Sequence, residues 1–186
     1  MKLRYALFVF AISPICQAQS AVDRLQPLVE TAARRLALAD QVALAKADSG
    51  AEVEDAAREK VVIANAVKEG EAKGLGPEDV ERFFAAQIEA NKIVQYSLLA
   101  DWRRTGSVPT HAKIDLAKTI RPELDQVQTA LIAELADTVA IRSSSTCWVD
   151  MAKAAAQYLS SHPQDHPALH AIALDRALAA ACTPSK

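Results

Sequence analysis

Residues 84–102 read FAAQIEANKIVQYSLLADW, and the fold turns on one set of positions within them. Phe84, Ile88, Asn91, Gln95, Leu98 and Trp102 follow one another in steps of four and three, the spacing of a continuously buried helix face. Two of these positions carry amides where a helical core calls for leucine. Upstream the same conflict recurs: Arg35, Lys46, Asp55, Arg58 and Glu59 fall on or beside apolar helix faces. Buried charged and amide groups are unfavourable unless something pairs with them, so the pattern implies a polar pocket inside an all-helical core.

The rest of the chain carries the helical period outward from that stretch. Leu25, Leu28, Val29, Ala32, Leu36, Ala39 and Val42 predict a first helix, ended by Asp48-Ser49-Gly50. Val53, Ala56, Ala57, Ile63, Ala64 and Val67 predict a second, running to Gly70 and Gly74. Gly76-Pro77, with Glu78 and Asp79 behind it, opens the third, which continues to about Arg104. After a linker over 105–110, Leu116, Ile120, Leu124, Val127, Leu131 and Leu135 mark a fourth helix, which either begins near Arg121 or bends there because of Pro122. Ser143 to Thr146 caps a fifth helix reaching about Leu159, and Asp165-His166-Pro167 opens a sixth that ends near Ala181. On this reading the side chain of Arg142 lies in a solvated cap, and Trp102 and Trp148 anchor the core.

Alanine-rich, glycine-poor composition agrees with packed helices. The N-terminus has the form of an export signal. Lys2 and Arg4 precede an apolar run from Tyr5 to Ile12, and Cys16-Gln17-Ala18 offers small residues for cleavage before Gln19. The run is too short to span a bilayer, and Ile15 is too bulky for a lipoprotein site, so release is expected rather than anchoring. About 168 residues then remain, enough for one domain with a substantial core. Losing Lys2 and Arg4 leaves 19 basic residues against 23 acidic ones, a net charge of −4, which argues against a nucleic-acid surface.

With Cys16 removed, Cys147 and Cys182 remain, and an oxidising compartment lets them pair; the other reading is two buried free thiols. The expected architecture is therefore all-α. It comprises a signal segment over 1–18 and one domain over 19–186, a bundle of about six helices with a C-terminal disulfide-linked hairpin. Residues 19–108 form its catalytic helices and 109–186 its completing half. His162, His166 and His170 are spaced by four, but Pro163 and Pro167 break the helix a metal-binding face would need, and neither metal nor cofactor is expected.

Eleven residues separate Arg35 from Lys46, about three turns and about 16 Å along a helix, so both project from one face. Asp55, Arg58, Glu59 and Val62 follow at helical spacing as one face of the second helix, and Asn91 and Gln95 sit on adjacent turns of the third. Each has a plain alternative, as a surface pair or a register-fixing amide; together they describe an anion pocket.

In these residues the chain resembles the all-helical chorismate mutases, and specifically their secreted, signal-bearing gamma branch. The resemblance rests on Arg35, Lys46, Asp55-Ala56-Ala57-Arg58-Glu59, Asn91 and Gln95 in order and spacing, with Gln95-Tyr96-Ser97, Asp101-Trp102 and the cysteine pair in support. It implies the rearrangement of chorismate to prephenate, on the route to phenylalanine and tyrosine, without a cofactor. It implies that Arg35 and Arg58 hold the substrate's carboxylates, and that Lys46 and Gln95 donate to the ether oxygen. Asp55, Glu59 and Asn91 then hold the hydroxyl end, and Arg121 completes the pocket from the same chain, with Arg103 or Arg104 as substitutes. It also implies a homodimer acting in the periplasm or outside the cell. Two other functions fit the same features: an isochorismate-pyruvate lyase, and a non-catalytic helical module whose polar seam is a protein interface.

Overall fold

The computed structural model describes residues 19–163 and 165–183; the expected export signal, with Cys16, lies outside them. The described residues form seven α-helices and one π-helical turn: α1 (Ala21–Ser49), α2 (Ala56–Glu71), α3 (Pro77–Thr105), a π turn (Leu116–Ile120), α4 (Arg121–Asp137), α5 (Val139–Arg142), α6 (Cys147–Ser161) and α7 (Pro167–Leu178).

Local chemistry sets the helix ends. Ser20 accepts from the Asp23 amide to cap α1, and Gly50 closes it at φ 68°, a left-handed conformation open to glycine without strain. Pro27 lies inside α1 without ending it, because Leu25, Leu28 and Val29 around it are fully buried and their packing outweighs the lost backbone bond. Asp55 is the N-cap of α2, its carboxylate accepting from the Arg58 amide, so it stands before the helix rather than on its face as the spacing predicted.

α1 is the central element, packed against α3, α4, α6 and α7, while α2 lies across α3 and α4. Leu28, Leu36, Phe84, Leu131, Ile132 and Leu174 fill the centre. At the α2–α3 corner Gly70 is required by close approach: a Cβ there would stand 2.7 Å from Cγ2 of Val80.

The expected bundle of about six helices is present, with one short turn more, α5, where Thr138 ends α4. Of the two readings of the fourth helix the structure takes the first: it begins at Arg121, and Leu116–Ile120 before it form the π turn. Two other expectations need correction. Arg142 is buried, not solvated: its Nε and Nη2 donate to the Leu135 carbonyl at 3.2 and 3.1 Å, and its Nη1 to that of Ala181 at 2.7 Å. Trp148 is 55% exposed, because α6 turns Cys147, Met151, Ala154 and Ala155 inward. Trp102 is partly buried against the core.

The disulfide is formed. Cys147, at the start of α6, joins Cys182, beyond the end of α7, with Cα atoms 5.9 Å apart. Alongside it the Thr183 amide donates to the Arg142 carbonyl, so the C-terminal segment is fastened to the α5 turn as well.

Candidate active site

One cleft of about 140 Å³ opens where α1, α2, α3 and α4 meet, and all eight of the residues singled out from the sequence line it. α1 supplies Arg35 and Lys46, α2 supplies Arg58 and Glu59 behind the cap Asp55, α3 supplies Asn91 and Gln95, and α4 opens with Arg121. Arg103 and Arg104 lie on α3 away from it, the latter bonded to Asp101. Apolar walls come from Val42, Val53, Val62, Ile88, Leu116, Ile120 and Leu124. Five cations face three carboxylates across the lining, which gives an overall acidic protein a local site for a small anion with an apolar body.

Arg35 is the deepest of these cations, at 5% exposure. Its Nε has no hydrogen-bond partner among the described residues. Burial lowers its pKa to about 10, with Asp125 raising it and Arg58 lowering it, so the guanidinium remains charged at neutral pH. A buried, charged donor without a partner is costly, and an anionic ligand reaching it would relieve that cost.

Lys46 donates from Nζ to the Val53 carbonyl at 2.8 Å, which aims the ammonium along the cleft and leaves two of its three donors free of that bond. Its pKa is lowered by burial, against the opposing pull of Asp55, Glu59, Glu54 and Glu52. Arg58 bonds to Asp125 across the cleft at 3.4 Å. Gln95, 4% exposed, donates from Nε2 to Asn91 Oδ1 at 2.6 Å, while Asn91 Nδ2 donates to the Arg35 carbonyl at 3.4 Å. The two seam amides thus form a chain that links α3 to α1. Gln95 Oε1 is buried and unpaired among the described residues.

Lys92, Asp125 and Gln128 also line the cleft and were not assigned roles from the sequence. Gln128 carried the same signal as Asn91, a polar residue on an apolar helix face, and it is 8% exposed. Lys92 and Asp125 carry no comparable signal in the sequence. Among the described residues no group of three or more His, Cys, Asp or Glu is placed to hold a metal ion; His170 is buried beside Asp40, 3.3 Å away.

Residues 21–96 match the family model described as chorismate mutase type II. The chain is 31% identical over 130 residues to the secreted chorismate mutase of Mycolicibacterium smegmatis, covering 70% of this chain and 71% of that one. To the secreted chorismate mutase of Mycobacterium tuberculosis it is 25% identical over 152 residues, covering 82% and 75%. Among solved structures, the chorismate mutase from Burkholderia phymatum superposes with a TM-score of 0.85 at 42% identity, over 89% of this chain and 99% of that one. The chorismate mutase from Burkholderia thailandensis gives a TM-score of 0.81 at 34% identity, over 86% and 99%. Helical fold, polar cleft and sequence thus agree, and the chain belongs to the type II chorismate mutase family.

Proposed function

We propose that the cleft between α1, α2, α3 and α4 is where this chorismate mutase binds chorismate and converts it to prephenate. The observation that carries the reading is Arg35, a buried guanidinium with an unmet donor, sharing one apolar-walled cleft with Lys46, Arg58 and Gln95.

The reaction is an intramolecular rearrangement. The ether C–O bond breaks as a C–C bond forms between the enolpyruvyl arm and the ring, and the ether oxygen gains negative charge until it becomes a ketone. No proton, nucleophile or electron carrier is needed, so the protein contributes shape and fixed dipoles. Arg35 and Arg58 hold the two carboxylates, whose planar form suits guanidinium. This folds the arm over the ring and supplies the orientation term.

Lys46 and Gln95 donate to the ether oxygen. Lys46 keeps its bond to Val53 and directs another N–H at the oxygen; Gln95 keeps one amide hydrogen on Asn91 Oδ1 and gives up its long 3.4 Å contact with the Asn91 carbonyl to offer the second. Because both are fixed before the substrate enters, little reorganisation accompanies the developing charge. Glu59, Asp55 and Asn91 accept or position the hydroxyl end, and Arg121 closes the cleft from α4. Asp125 occupies Arg58 in the free protein and yields to the substrate's carboxylate.

This reading includes a homodimer with a complete site in each subunit, α1, α2, α3 and α4 of one chain all lining the cleft. It also includes a division in which 19–108 carry most of the chemistry and 109–186 complete the wall. The protein works outside the cytoplasm, in the periplasm or the medium, like the relatives named secreted, and the Cys147–Cys182 bond suits an oxidising compartment. Among the described residues no helix is long and apolar enough to cross a membrane.

Identifying the product formed from chorismate tests the reading. Prephenate supports it. Conversion of isochorismate to pyruvate and salicylate, with chorismate left unaltered, would assign a lyase instead.

A further inference from the structure

Lys92 follows Asn91 on α3 and has a side chain only 12% exposed. Its ammonium lies 2.7 Å from Glu89 Oε1, 3.1 Å from Glu54 Oε2 and 3.4 Å from Glu59 Oε2. Glu89 is its own helix neighbour, and that contact alone is an ordinary surface pair that contributes little. The other two carboxylates come from elsewhere: Glu59 from the first turn of α2, and Glu54 from residues 50–55, which join α1 to α2. The Tyr96 hydroxyl, one turn along α3, donates to the remaining oxygen of Glu54 at 3.0 Å.

Residues 51–55 have no helix or strand of their own, so their path depends on what holds them. Three consecutive residues are tied to three different helices. The Val53 carbonyl accepts from Lys46 of α1, the Glu54 carboxylate accepts from Lys92 and Tyr96 of α3, and the Asp55 carboxylate accepts from the Arg58 amide of α2. The middle tie is the one that fixes this strap to the seam helix. Loss of the Glu54 contact would let Val53 drift, and with it the carbonyl that aims Lys46.

We propose that Lys92 is a positioning residue for the rearrangement: by binding Glu54 and Glu59 together it fixes the strap against α3, so that Lys46 points at the ether oxygen and Glu59 stays on its own side of the cleft. The charges around Lys46 give the second half of the argument. Glu52, Glu54, Asp55 and Glu59 all act on its ammonium. With Lys92 gone, Glu54 and Glu59 have Lys46 as a neighbouring cation to turn to, and the donor is drawn off the reacting oxygen. Arg35 and Arg58 would still hold the substrate, so the loss falls on turnover rather than on binding.

This inference rests on the cleft being the chorismate site. Its test is steady-state kinetics on chorismate for the wild type, Lys92→Met, Lys92→Arg and Glu54→Gln, with helical circular dichroism recorded for each. Lys92→Met should lower kcat about tenfold or more, since displacing a reacting group by about 1 Å can reduce the rate up to about a hundredfold. Its KM should stay within about threefold of wild type. Lys92→Arg, which can also bridge carboxylates, should recover most of the loss. Glu54→Gln, at an exposed side chain, should lower kcat in the same direction by a smaller factor. A folded Lys92→Met protein with kcat within about twofold of wild type overturns the proposal. If that variant does not fold, Glu54→Gln with wild-type kcat overturns it. A wild type that leaves chorismate unaltered overturns the functional reading and this inference together, whereas an active wild type with unaffected variants overturns this inference alone.

Discussion

Replacing Gln95 with glutamate should convert a pH-insensitive donor into a pH-gated one. The amide is 4% exposed and its Nε2 lies 2.6 Å from Asn91 Oδ1. A carboxyl group at that place meets an acceptor oxygen. It keeps the contact only as the protonated acid, unless Asn91 turns its amide around and gives up the Arg35 carbonyl. Burial also disfavours the ionised form, so both effects raise the new group's pKa above the ordinary glutamate value of about 4.3.

In the acid form the single O–H, held on Asn91 in the free protein, turns to the ether oxygen when substrate is bound; once ionised, the carboxylate repels the charge it should stabilise. Above its pKa the rate should fall about tenfold per pH unit. The fall should continue to a total of about 10²–10³, the effect of losing one preorganised donor. Wild type should instead hold a flat kcat/KM from mildly acidic to mildly alkaline pH. It should decline only as Lys46, whose pKa burial lowers below the usual lysine value, gives up its proton.

The assay is kcat/KM from chorismate disappearance across pH, with circular dichroism in parallel. The fold itself is affected. A raised carboxyl pKa means that the folded form binds more protons than the unfolded one, so the stabilisation is complete below about pH 4.3 and is lost as pH rises through the folded pKa. Loss of rate must therefore be read where helix content is unchanged. A glutamate variant with a flat profile at wild-type rate would show that Gln95 does not touch the reacting oxygen.

Other expectations follow from single contacts. Reducing Cys147–Cys182 opens a link across 35 residues of sequence, worth about 4 kcal/mol by chain entropy, and should lower the melting temperature by on the order of 10 °C while the rate at low temperature changes little; an unchanged melt would refute it. Gly70→Ala puts a methyl 2.7 Å from Val80 Cγ2 and should destabilise the fold by about 1–3 kcal/mol in a denaturant titration. Activity should survive a strong chelator, since positioning and fixed electrostatics suffice for the chemistry; loss on chelation and recovery with zinc would contradict this.

Legibility in the sequence followed the physics of burial. Arg35, Asn91 and Gln95 could be read because a polar side chain on an apolar helix face is expensive, and helical spacing says which face is apolar. Arg121 was found by resemblance, and its direction became plain only with the fold, where Pro122 sits harmlessly in the first turn of α4. Arg142 misled because the run of serines after it reads as solvent-exposed. What buries it is a tertiary demand, the free carbonyls at Leu135 and Ala181.

Trp148 misled in the opposite sense. It neighbours Cys147, but one helical step rotates it about 100° away from the face that packs, and alanines fill that face instead. The π turn and α5 carry no glycine or proline of their own to announce them. Lys92 drew no notice in the sequence, since nothing local reveals that Glu54 and Glu59 return to it from another element.

The central claim, that the cleft rearranges chorismate by positioning and electrostatics, is tested most directly by comparing wild type with Lys46→Ala on chorismate, identifying the product by chromatography. The account predicts prephenate from wild type. In the variant it predicts a turnover lower by about 10²–10³ or more with an unchanged helical spectrum, because one ether-oxygen donor is gone. Chorismate left unaltered by folded wild-type protein, or near-normal prephenate formation by Lys46→Ala, would contradict it.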